Sequence, residues 1–105
     1  MHKLVDAKRM GASTSESRAE AWRATHDFDR AISGSTEAIR LNPKLAAAYN
    51  NRGAAWMELR EYDQANRSGD AWRIPRDYLS AMADFDATIG IDPRFATAYF
   101  NRGLL

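Results

Sequence analysis

Residues 41–81, LNPKLAAAYNNRGAAWMELREYDQANRSGDAWRIPRDYLSA, decide the fold, because they match the chain on either side at fixed distances. Looking back, Arg52, Gly53, Trp56, Tyr62 and Ala65 repeat Arg18, Ala19, Trp22, Phe28 and Ala31, and every pair keeps the same spacing of 34. Looking forward, Asn42-Pro43, Ala46, Ala48-Tyr49 and Asn51-Arg52-Gly53 return as Asp92-Pro93, Ala96, Ala98-Tyr99 and Asn101-Arg102-Gly103, at a spacing of 50. The excess of 16 lies inside the stretch itself. Residues 50–65 run directly into 66–81, and the two align without a gap at seven identities: Asn50/Asn66, Gly53/Gly69, Ala55/Ala71, Trp56/Trp72, Arg60/Arg76, Tyr62/Tyr78 and Ala65/Ala81. A duplicated half-unit and two full units with a deletion in their middle satisfy these spacings equally well. Self-similarity at such a period marks a stacked repeat architecture.

Each segment has helical periodicity. Tyr49, Gly53 and Trp56 share one stripe at spacings of three and four, with Ala48 and Arg52 beside it. Phe28, Ala31, Ile32, Ser35, Ala38, Ile39 and Leu41 form an apolar face that ends at Asn42-Pro43; Tyr78, Ala81, Met82, Phe85, Ile89 and Ile91 form its counterpart before Asp92-Pro93. A polar N-cap followed by Pro at the first helical position predicts that a helix starts after each dipeptide. Small residues at Ala31, Ala38, Gly53, Ala65, Ala81 and Gly103 allow helices to approach closely, with Trp and Tyr between them; Trp22 and Trp56 are expected in the core. The chain is therefore all-α, with antiparallel helix pairs expected near 15–26, 28–41, 44–59, 76–90 and 94–105. Pro75 inside a helix would cost ~3 kcal/mol, so a bend or break is expected within 68–75, with Tyr62–Ala65 closing the second long helix or forming a short one.

Composition narrows the function. At 105 residues the chain is one domain, with 15 Lys+Arg against 14 Asp+Glu and no Cys. The near-neutral balance lacks the basic excess of a free-standing nucleic-acid binder or a polybasic membrane anchor. The missing thiols exclude disulfide scaffolds, thiol catalysis and Cys-based zinc sites, and His2 and His26 are too few for a convincing zinc site. No run approaches the roughly 18 apolar residues of a membrane span, and the N-terminus lacks a secretory core, so a cytoplasmic location is the expectation. No phosphate-binding glycine loop is present, and His26 and Asp27 are adjacent, so on a helix they point apart. An enzyme is not expected, nor a cofactor.

These residues resemble the tetratricopeptide repeat family, whose helix-turn-helix unit has the same period. The resemblance rests on the small residue followed three later by an aromatic (Ala19/Trp22, Gly53/Trp56), on aromatic-x-x-Ala at Phe28–Ala31, Tyr62–Ala65 and Tyr78–Ala81, on Ala38-Ile39, and on the Asn-Pro or Asp-Pro terminator. It covers about 15–65 and 76–105. Residues 1–14 do not fit and are expected to be irregular; Ser35 stands where a large residue is usual, and residues 66–75 are out of phase. It implies a right-handed α-solenoid of about two and a half repeats: a first unit at 15–43, a second at 44–93 with an insertion at about 66–77, and a shortened third at 94–105.

The resemblance implies a non-catalytic scaffold for protein–protein interaction, with a partner peptide or protein on the concave wall built by the first helix of each pair. An Asn two residues before the small Gly or Ala often bonds the peptide backbone in this family; here that means Asn51 and Asn101, with Ser17 in the first unit. An amide suits the role because it both donates and accepts, whatever the peptide's side chains. Asn50, Ala47, Ala54 and Met57 would share the face, and Phe100 and Leu104 would give it an apolar end. A clamp for a two-carboxylate chaperone tail needs Lys or Arg where Glu16, Glu20 and Phe100 stand, which argues against that ligand. Arg52 and Arg102 are expected to be structural, with aliphatic stems over the helix pair and heads in water. Two further readings are a piece of a longer array that self-associates through its last helix, and RNA binding through Arg23, Arg60, Arg67, Arg73, Arg76 and Trp72.

Overall fold

The computed structural model describes Gly11 and residues 17–66 and 73–104. Those residues are helical over 17–24 (α1), Phe28–Leu41 (α2), Ala46–Asn66 (α3), Arg73–Ile91 (α4) and Ala96–Leu104 (α5). The expectations for residues 1–14, for a break beyond Asn66, and for Arg67 and Trp72 lie, Gly11 apart, outside the described residues.

Local chemistry explains the boundaries. Asp27 caps α2, its carboxylate accepting from Arg30 N at 3.3 Å, and Phe28, Ala31, Ser35 and Ala38 bury one stripe of the helix. Asn42 and Asp92 do not cap the following helices, as the sequence suggested. Their N–H groups close the preceding helices on Ala38 O and Thr88 O at 2.8 and 2.9 Å, and their side chains accept from Lys44 N and Arg94 N at 3.2 and 3.0 Å. Each thus forms an Asx-turn that carries the proline, and α3 and α5 start only at Ala46 and Ala96. The two turns make the same bonds at equivalent places, so the sequence repeat is a repeat of hydrogen bonds.

The tandem half-unit is resolved by lengthening. Tyr62–Ala65 continues α3 instead of opening a second helix, and the Tyr78–Ala81 copy lies in α4. Pro75 is the third residue of α4, inside the first turn, where its missing N–H has no intrahelical partner to lose.

Packing proceeds from neighbour to neighbour. α2 and α4 both pack on α3 but not on each other, and α5 packs on α4 and, more lightly, on α3. The core cluster is Ala54, Met57, Ala81, Phe85 and Ala98, with Trp56, Ile89 and Phe95 half-buried against it. Gly53 is set by the fully buried Phe85: a Cβ there would lie 2.8 Å from the ring. Trp22 departs from expectation. It is 36% exposed with the Arg30 guanidinium 4.8 Å over its ring, whereas Trp56 lies on α3, which has helices on two sides.

Candidate functional site

The first helices α1, α3 and α5 form the wall on which the sequence placed the binding residues. α1 presents Glu20 and Arg23, one turn apart, and α3 presents Asn51 and Glu58, two turns apart, so each pair sits on one side of its helix. The pairs interlock. Arg23 Nη1 donates to Asn51 Oδ1 at 3.0 Å, Asn51 Nδ2 donates to Glu20 Oε1 at 3.3 Å, and Arg23 Nε lies 3.3 Å from Glu58 Oε1. Asn51 is only 7% exposed, and its acceptor and a donor are already used within the chain. Around it the Arg23 and Glu58 side chains are about one-third open, at 29% and 33%, and Glu20 is exposed.

The other expected positions fall differently. Asn50 is buried, with Oδ1 lacking a hydrogen-bond partner among the described residues. Ala54 and Met57 are not on an open face: they are buried in the core cluster that includes Ala98 of α5, because α5 covers that part of α3. Asn101 and Ala47 are half-buried and Ser17 is exposed. The side chains of Phe100 and Leu104 lie outside the described residues. Arg23 and Glu58 were not singled out for this wall from sequence, and Glu20 was placed on it only as a residue unsuited to an acidic tail; their i,i+3 and i,i+7 spacing to one another and to Asn51 was the available signal.

Glu58 is electrostatically uneasy. Burial pushes its carboxyl above the ordinary 4.5, Arg23 pulls it back, Glu61 adds to the rise and His26 opposes it. A carboxyl raised in the folded state contributes stability that is full below its unfolded pKa and is lost as pH rises through its folded value. A carbon-detected NMR titration should give Glu58 a midpoint above 4.5, and Glu58→Gln should flatten the fall in stability that begins there; a midpoint at or below the ordinary value would contradict the burial argument.

One residue further round α3, Arg52 closes on Asp84 of α4 through two bonds, Nε to Oδ2 at 2.9 Å and Nη2 to Oδ1 at 2.8 Å, and reaches Thr36 of α2 at 3.3 Å. Its head is therefore paired rather than left in water. Hydrogen bonding to Asp84 holds the guanidinium more firmly protonated than usual, in spite of burial. Arg102 repeats the backward reach, bonding Asp86 at 3.1 Å, and both arginines span 16 residues to the preceding second helix. A cleft of about 280 Å³ lies between α2 and α4, lined by Ile32, Thr36, Ser80 and Ala83 beside the Arg52–Asp84 pair and Trp56. Among the described residues no three His, Asp or Glu side chains converge as metal ligands, and no helix is long and apolar enough to cross a membrane. Arg60 stacks over Tyr78 at 5.3 Å and Arg23 is held in the wall, so two of the arginines of the RNA reading have intramolecular partners.

No family model matches the chain. A stretch of 47 residues, 45% of the chain, is 45% identical to the small glutamine-rich tetratricopeptide repeat-containing protein 2 of Saccharomyces cerevisiae, of which it spans only 14%. Among solved structures, the Arabidopsis OM64 TPR domain superposes with a TM-score of 0.74 at 25% identity, covering 92% of this chain and 67% of that one. The TPR2B-domain:pHsp70 complex of yeast Sti1 superposes with a TM-score of 0.73 at 25% identity, covering 90% of this chain and 63% of that one. The repeat spacing, the stacked helix pairs and these neighbours agree: the chain is an α-solenoid with the fold of tetratricopeptide repeat domains, which it resembles in sequence.

Proposed function

We propose that the chain is a non-catalytic scaffold that binds a partner peptide or protein along the wall of α1, α3 and α5. The carrying observation is the row Glu20–Asn51–Arg23–Glu58, which joins two successive first helices and leaves charged heads partly open on that wall. Such a row offers donors and acceptors to an extended backbone, and a ligand can enter it by exchanging one partner for another. Asn101 of α5 extends the row by one unit; Asn50, Ala54 and Met57 shape the wall from beneath. The Sti1 neighbour is a complex with pHsp70. Here Glu16, Glu20 and Phe100 occupy the places where a clamp for an acidic tail would need basic residues, so a tail of that chemistry does not suit this wall.

Selection of a peptide library on the immobilised protein, followed by titration of Glu20→Ala and Thr36→Ala variants, tests the proposal. Glu20→Ala should weaken the selected peptide roughly three- to tenfold, and Thr36→Ala, beside Arg52, should leave it unchanged. The reverse pattern would move the site to the α2–α4 cleft. Self-association through α5 is the second reading, motivated by Tyr99, which is 44% exposed on that helix. Sedimentation velocity over a hundredfold concentration range distinguishes it, since a constant sedimentation coefficient excludes it.

A further inference from the structure

Where α1 turns into α2, a cleft of about 300 Å³ is lined by His26, Phe28, Glu58, Glu61 and Tyr62. Its chemistry is two-sided. Phe28 and Tyr62 meet edge to face with ring centroids 6.1 Å apart, and His26 packs against Phe28 at 5.8 Å. Phe28 is buried, and Tyr62 is 53% exposed. Against these rings stand two carboxylates one turn apart on α3. Glu58 is shared with Arg23 of the wall, and Glu61 is exposed and makes no ion pair among the described residues. The turn is fixed by His26, whose φ of 63° puts a non-glycine residue in the left-handed region, and by Asp27 N bonding Trp22 O at 2.8 Å.

We infer that this cleft receives a lysine or arginine side chain of the partner peptide, so that the ligand of this scaffold is basic. The inference rests on the peptide-binding wall proposed above, to which the cleft is joined through Glu58. Charge complementarity decides the class of ligand. Glu20, Glu58 and Glu61 set three carboxylates against the single guanidinium of Arg23, leaving the wall and cleft together short of positive charge. A guanidinium or ammonium group over an aromatic ring and beside a carboxylate gains from both, and this chain already uses that pairing internally: Arg30 on Trp22 beside Asp27, Arg52 on Tyr49 beside Asp84 and Arg102 on Tyr99 beside Asp86. Burial disfavours the charged form of Glu58 more than Arg23 restores it, and a second cation would relieve that imbalance.

Two fluorescein-labelled nonapeptides, one with arginines and the other with glutamates at three positions in a Gly/Ser background, serve as probes in anisotropy titrations. The arginine peptide should bind at least tenfold more tightly, and Glu58→Gln/Glu61→Gln should remove roughly tenfold of that affinity. Tyr62→Leu, which keeps an apolar side chain but removes the ring, should cost about threefold. Tyr62→Leu also separates the cleft from diffuse attraction, which it would not alter. Equal binding of the two peptides, or an arginine peptide insensitive to all three substitutions, would overturn the inference. So would spermidine that competes as well as the peptide at equal concentration, because the occupant would then be a free cation. The library selection fails separately: a neutral peptide sensitive to Glu20→Ala would keep the wall and remove the basic ligand.

Discussion

Phe85→Ala should lower the unfolding free energy by about 3–5 kcal/mol. Phe85 is fully buried between α3 and α4, and its ring is the largest completely enclosed side chain among the described residues. Its neighbours cannot refill the space. Gly53 faces the ring with no side chain at all, and the other buried members of the cluster are Ala54, Ala81, Ala98 and Met57, while the larger Trp56, Ile89 and Phe95 are half-buried at its edge. A site that cannot collapse retains its cavity, which places the cost in the upper part of the range. For a domain whose whole stability is of order 5–15 kcal/mol, urea unfolding should show a much lower midpoint or no folded baseline. The fit between Phe85 and Gly53 gives a second signature. Gly53→Ala should destabilise the parent protein, because the new Cβ lies 2.8 Å from the ring, yet stabilise the Phe85→Ala variant by up to ~1 kcal/mol through helix propensity. Destabilisation in both backgrounds would mean that Asp84 Cβ, 3.2 Å from the same point, sets the glycine as well as the ring.

Asp84→Ala should cost about 2–3 kcal/mol, near the lower limit for stranding a buried charge. The Asp84 side chain is 7% exposed, and it accepts two bonds from Arg52, whose own side chain is 22% exposed. Removing the carboxylate leaves the guanidinium with Thr36 alone among the described hydrogen-bond partners, too open to water for the full penalty of the interior. Replacing both partners, Arg52→Met with Asp84→Leu, should recover most of the loss, since the pair offsets a desolvation cost that apolar residues do not incur. Thermal and urea melts of the two single variants and the double variant form a cycle. A loss below about 0.5 kcal/mol for Asp84→Ala would reclassify the pair as an ordinary surface ion pair.

How much of this was legible in sequence depended on the range of the interaction involved. The boundaries of α2 were read to the residue from the Phe28–Ala31 opening and the Asn42-Pro43 stop; in the structure Asp27 and Asn42 fix them by acting on backbone within four positions of themselves. Asn42 was also misread for the next helix: an amide before proline can cap forward or close an Asx-turn, and the geometry of Lys44 and Leu45 decides which. The two aromatic-x-x-Ala segments, Tyr62–Ala65 and Tyr78–Ala81, are equally helical taken alone, and only packing on α3 separates the one that extends the helix from the one that pairs with it. Asn51 was picked out by its place in the repeat, but its partners Arg23 and Glu20 lie 28 and 31 residues away, beyond any local pattern. The salt bridge from Arg52 to Asp84 spans 32 residues, across the insertion, and was invisible for the same reason.

Among the described residues α2 and α4 both rest on α3 and make no close backbone approach to each other, which has a kinetic consequence. Each described helix from α2 onward finds its partners among those next to it or one further along the chain, so helix pairing proceeds between near neighbours in sequence. Relative contact order is then low, and refolding on the microsecond-to-millisecond scale of helical domains follows. During synthesis the helices emerge in the order in which they pack. α3 can dock on α2 before α4 exists, and the ring of Phe85 then arrives against a Gly53 surface that is already in place, so the ribosome delivers the chain in its assembly sequence.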